Sequence, residues 1–145
     1  MAHVVLAARL ADTGLADAVT VTSAGTGDWH VGGGMDERAA ATLSAQGYDP
    51  TRHRARQVDA EWFAGHDLLL AMDATNRDDL LAIAPDADTR GRVMMFRAFD
   101  PQGGPDAEVP DPYAGDRGGF TQVLATVERT TATLVEVLAE QLPRR

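Results

Sequence analysis

At 145 residues the chain has the length of one domain with room for a real core, and 44% hydrophobic with 24% charged residues is ordinary for a soluble globular protein. A net charge of −9 argues against nucleic acid or an anionic membrane as partner, and a cysteine count of zero excludes disulfides, thiolate metal sites and a thiol nucleophile within these residues. No apolar run reaches the length of a membrane span and the N-terminus lacks a signal-peptide layout, so a cytoplasmic protein is expected.

Met1 to Ala11 reads as a helix. Val5, Leu6 and Leu10 fall on one stripe, alanines fill the spaces between, and Gly14 stands where a C-terminal cap belongs. Nothing is available to cap its N-terminus, because the chain starts inside the first turn. The β-branched run Val19–Ser23 is predicted as a strand, stopped by Ala24-Gly25-Thr26-Gly27. The loop beyond carries Trp29 and His30 into three glycines, Gly32 to Gly34. A glycine-rich loop after a strand can cradle phosphate, but this spacing matches neither the Walker nor the dinucleotide pattern. Asp36 is placed to cap a helix from Glu37 to about Gln46, closed by Gly47.

Residues 48 to 58 are irregular and basic, with Arg52, His53, Arg54 and Arg56. In an acidic chain such a cluster is either an anion-facing rim or a solvated run of charge. Asp59 is placed to cap a short helix carrying Trp62 and Phe63. The apolar run Asp67–Met72 reads as a strand buried on both faces, Asp73 to Ile83 as a helix halted before Pro85, and Arg92–Phe96 as a third strand. Arg97 to Gly119 is loop, long enough to suggest a function. A last helix runs from about Phe120 to Leu142, with Phe120, Val123, Leu124, Val127, Leu134 and Leu138 on one face. Buried strands alternating with helices predict an α/β doubly wound parallel sheet, with its ligand beyond the C-terminal ends of the strands.

Within the long loop, Val109-Pro110-Asp111-Pro112-Tyr113-Ala114-Gly115 holds an aspartate between two prolines, each of which fixes its own φ and biases the residue before it. Taken alone, this is either a general acid aimed by a stiff loop or a surface turn rich in breakers. The predicted sheet favours the former, because the loop leaves the C-terminal end of the last strand.

Five stretches in order resemble the low-molecular-weight protein tyrosine phosphatase family: Ser23-Ala24-Gly25-Thr26-Gly27-Asp28-Trp29-His30-Val31-Gly32, His53-Arg54-Ala55-Arg56-Gln57, Met72-Asp73-Ala74-Thr75-Asn76, Phe99-Asp100-Pro101 and Val109-Pro110-Asp111-Pro112-Tyr113. The resemblance implies hydrolysis of phosphotyrosine or another aryl phosphate through a phosphocysteine intermediate. Carried over, it makes Asp111 the general acid and base, Trp29 and Tyr113 the aromatic walls of the substrate site, and Ser23 and His53 supports behind the phosphate loop. It implies no metal and no cofactor; the partner it implies is a phosphotyrosine protein or a small aryl phosphate. Ala114 stands where the family often has a second tyrosine.

The family's phosphate loop, Cys-x5-Arg-Ser, follows its first strand and commonly runs into Arg-Ser-Pro-Met-Ala-Glu, whereas this sequence begins Met1-Ala2-His3. The resemblance therefore implies an N-terminally truncated sequence: one phosphatase-like domain whose central first strand, nucleophile and phosphate-binding arginine lie upstream. Losing a central strand should remove stability comparable to a domain's whole net value of about 5–15 kcal/mol, so the 145 residues alone are expected to fold poorly. Two other readings stay open: a catalytically inactive phosphatase-like binding module, and an arsenate reductase-like protein, which would need redox cysteines absent from this chain.

Overall fold

The computed structural model describes residues 1–23, 37–49, 58, 61–109 and 117–142, without the side chains of 117 and 118. Helix α1 spans Ala2–Asp12 and buries the expected stripe of Val5, Leu6 and Leu10. It stops because Gly14 takes φ +77°, which lets the Leu15 N–H donate back to the Leu10 carbonyl at 2.8 Å. Helix α2, Glu37–Ala45, ends in the same way: Gly47 has φ +88° and the Tyr48 N–H reaches the Leu43 carbonyl at 3.0 Å. Helix α3 is one turn, Trp62–Gly65, and its N-cap position is Glu61, which makes no side-chain capping bond. Asp36 and Asp59, expected to cap these last two helices, lie outside the described residues.

Strand β1, Leu69–Ala71, leads into helix α4, Ala74–Ile83, which Asp73 caps by accepting from the Asn76 N–H at 2.7 Å. Helix α5, Ala87–Arg90, was not foreseen. Asp86 and Thr89 make it through a reciprocal cap, the Thr89 N–H donating to Asp86 at 2.8 Å and the Asp86 N–H to the Thr89 hydroxyl at 3.2 Å. Strand β2, Val93–Met95, passes into a 3-10 turn over Phe96–Phe99, and helix α6 covers Arg117–Gln141, starting earlier than expected.

β1 and β2 pair in parallel, with Leu69 opposite Val93 and Ala71 opposite Met95. Side-chain alternation sends Leu69, Ala71 and Met95 to one face, where Phe63 and Leu80 meet them. Leu70 and Met72 turn to the other face, against the larger block of Val5, Leu6 and Leu10 from α1, Leu43 from α2, Phe96, and Val123, Leu124, Val127, Leu134 and Val135 from α6. Helices thus cover both faces, the layering of a doubly wound α/β sheet.

The strand expected at Val19–Ser23 is absent. The described sheet has two strands, and the segment takes part in no ladder. β-branched residues favour a strand, but a strand exists only where a neighbour pairs with it, and among the described residues none does. Val19 and Val21 pack on the α1–α6 block instead.

Candidate active site

The C-terminal edge of the sheet collects the ends of β1 and β2 and the returning loop. The Val109 N–H donates to the Met72 carbonyl, one residue past β1, at 2.7 Å. Beside it the Glu108 carboxylate accepts from the Ala74 N–H at 2.7 Å, so the first turn of α4 is capped by Asp73 and by Glu108 together. Arg77, on the same helix, reaches Asp106 at 3.3 Å.

The charged centre of this edge is Asp100. Its side chain is fully buried, yet it accepts four bonds: two from Arg129 of α6 at 2.7 and 2.9 Å, one from Arg97 Nε at 2.9 Å, and one from the Gln102 N–H at 2.9 Å. The Arg129 guanidinium, aided by the Gln102 amide and Arg97, holds this carboxyl far below the usual carboxylate range, outweighing the upward push of burial. Asp100 in turn raises the pKa of Arg129. Arg97 has a second task, because its Nη1 donates to the Glu108 carbonyl at 2.8 Å. Polar bonds therefore run unbroken from α6 to the peptide just before Val109.

Of the residues singled out from sequence, Ser23 is described; Asp111, Trp29, Tyr113 and His53 lie outside the described residues. Ser23 Oγ is 2.8 Å from Nδ1 of His3 in the first turn of α1. Its neighbour Thr22 meets His66 Nε2 at 2.6 Å, at the approach to β1. His66 Nδ1 lies 2.7 Å from the Trp62 carbonyl, which can only accept. In the neutral ring Nδ1 therefore carries the proton and Nε2 accepts from Thr22. The imidazole also stacks on Trp62, with centroids 4.8 Å apart and planes 9° from parallel. A chain lacking a ladder partner is thus tied down through side chains.

Sequence reasoning missed Asp100, Arg97, Arg129 and Glu108 as a unit. Phe99-Asp100-Pro101 was visible as a motif, but the partner Arg129 is 29 residues away, and no periodicity connects them. A groove between α2 and α6, lined by Arg38, Thr42, Gln46, Thr121 and Glu128 among others, includes none of the residues singled out. Among the described residues no group of three or more His, Cys, Asp or Glu could hold a metal ion, and no helix is long and apolar enough to cross a membrane.

The sequence profile of the low molecular weight phosphotyrosine protein phosphatase family matches residues 1–144. The chain belongs to that family. It is 47% identical over 145 residues to low molecular weight protein-tyrosine phosphatase A of Mycobacterium tuberculosis, an alignment covering 99% of this chain and 86% of the relative. It is 41% identical to a low molecular weight protein-tyrosine-phosphatase of Streptomyces coelicolor, covering all of this chain and 88% of that one. Among solved structures, the Entamoeba histolytica protein tyrosine phosphatase with Hepes in its active site superposes with a TM-score of 0.89 at 28% identity, covering 96% of this chain and 87% of the other.

Proposed function

We propose that this protein hydrolyses phosphotyrosine or small aryl phosphate monoesters in the cytoplasm through a phosphocysteine intermediate, with Asp111 as general acid and base. The observation that carries the reading is the bond from Val109, two residues before Asp111, to Met72 at the C-terminal end of β1, where an α/β sheet receives its ligand.

In the first step a cysteine thiolate attacks phosphorus, the bond from phosphorus to the aryl oxygen breaks, and the Asp111 carboxyl gives that oxygen its proton. In the second, the Asp111 carboxylate takes a proton from water as the water oxygen attacks phosphorus, which releases inorganic phosphate and restores the thiolate. Trp29 and Tyr113 flank the aryl ring, while Ser23 and His53 brace the phosphate loop. None of the 145 residues is a cysteine, so in this reading they are inactive alone. The thiolate and the phosphate-binding guanidinium then come from polypeptide ahead of Met1, with a strand that completes a single phosphatase-like domain. That strand would seat between residues 19–23 and β1. Support for it is that β1 has a ladder partner on one side only among the described residues, and residues 19–23 have none.

The zero cysteine count also favours a second reading, an inactive phosphatase-like module that binds a phosphoprotein. The DNA ahead of codon 1 separates the two. An in-frame Cys-x5-Arg-Ser-Pro running into Met1 supports the enzyme, and a stop without that motif supports the module. With the motif present, the full polypeptide should hydrolyse an aryl phosphate, and Asp111→Asn should lower kcat by about 10²–10⁴-fold. An unchanged kcat would remove Asp111 from the mechanism, and hydrolysis by the pure 145-residue chain would overturn the thiolate assignment.

A further inference from the structure

We infer that Arg97 and Glu108, with Asp100 as their anchor, are positioning residues that set where the chain delivers Asp111; this rests on the reading of Asp111 as the acid. The residues before Asp111 are fastened from three directions. The Glu108 carbonyl is held by Arg97 at 2.8 Å, its carboxylate by the Ala74 N–H at 2.7 Å, and the next amide, Val109, by the Met72 carbonyl at 2.7 Å. The same guanidinium that holds Glu108 donates its Nε to Asp100 at 2.9 Å, and Asp100 is itself bound to α6 by the two bonds from Arg129. Beyond Val109 come Pro110 and Pro112, whose rings fix φ. Glu108 and Val109 lie three and two residues before Asp111, so a shift of this fastened root changes where the chain delivers the acid. Misplacing a reacting group by about 1 Å can cost about 10²-fold in rate.

Two details separate this from ordinary bracing of the fold. Glu108 is exposed and belongs to neither apolar cluster, so its carboxylate acts through its bond to the Ala74 N–H and not through packing, in a turn that Asp73 caps as well. Gly103 shows that the loop must return close to Arg97: a β-carbon there would lie 3.0 Å from Ala107 Cβ and 3.1 Å from the Arg97 carbonyl oxygen. The chain keeps this close approach, and with it the short path from Arg97 to Glu108.

The test uses the full chain labelled with 3-fluorotyrosine, with the Tyr113 resonance assigned by its loss in Tyr113→Phe. Tyr48, whose hydroxyl donates to Glu128 of α6 at 2.8 Å, reports on the fold elsewhere. Glu108→Ala and Arg97→Lys, the latter with one nitrogen for two acceptors, should shift or broaden the Tyr113 line and leave the Tyr48 line in place, with the Tm lowered only by the few degrees that one lost cap or hydrogen bond costs. Glu108→Gln keeps an oxygen for the Ala74 N–H and should restore the Tyr113 line. Where the chain turns over an aryl phosphate, Glu108→Ala should lower kcat about 10-fold at unchanged KM. A Tyr113 line unmoved by Glu108→Ala overturns the inference, as does a change that moves both tyrosines and the Tm together. Failure of Asp111→Asn to slow hydrolysis would remove the acid yet leave the fluorine result standing, so the two ideas fail separately.

Discussion

Phe96 and Asp100 stand four residues apart, 1% and 2% exposed, and different forces hold them. Phe96 belongs to the apolar block of α1, α2 and α6, where burial is non-directional and many neighbours share the load. Asp100 belongs to a charged seam in which one carboxylate satisfies two arginines and an amide, and every bond has a direction. The apolar block holds layers together and tolerates small shifts. The seam specifies where one loop leaves the sheet, and it works only while its charges are present.

That contrast can be broken by mutation and by pH. Phe96→Ala should have the largest effect, about 3–5 kcal/mol of stability lost in urea unfolding of the full chain, with the same deficit at pH 7 and pH 3. Asp100→Asn leaves two arginines facing a neutral amide and should cost about 3 kcal/mol at pH 7. The folded pKa of Asp100 is depressed, so its contribution is complete above the unfolded value near 3.8 and is lost as pH falls from there towards the folded value. The deficit of Asp100→Asn should therefore shrink below about pH 4. Equal deficits at both pH values would show that Asp100 acts by packing, and the contrast with Phe96 would collapse. The smallest effect belongs to Thr131, whose hydroxyl is buried without a partner among the described residues, while that of Thr130 donates to the Thr126 carbonyl at 2.8 Å. Thr131→Val should raise stability by about 1 kcal/mol, and a loss instead would mean that the hydroxyl has a partner in solution.

Legibility in the sequence divided along the same line. The stripe of α1, the buried face of α6 and the glycine stops after α1 and α2 were all readable, because each depends on residues within one or two turns of each other, whereas Asp73 was read as the first helical residue and is the cap. Helix α5 was missed because its cap pairs Asp86 with Thr89 rather than with a glutamate. The strand expected at Val19–Ser23 failed for a tertiary reason: propensity is local, but a ladder needs a second chain segment alongside. For the candidate site, Ser23 was named from its motif, while its partner His3, 20 residues away, was not.

By itself the sequence determined the helices other than α5, the glycine stops of α1 and α2, the α/β class and the family resemblance, since these follow from side-chain chemistry and motifs along the chain. Tertiary structure alone decided which strands pair, that His3 meets Ser23, and that Arg129 and Arg97 converge on Asp100 to hold Glu108. A buried charge is tolerated only where folding brings its counter-charges to it, and no local pattern in a chain records where they will come from.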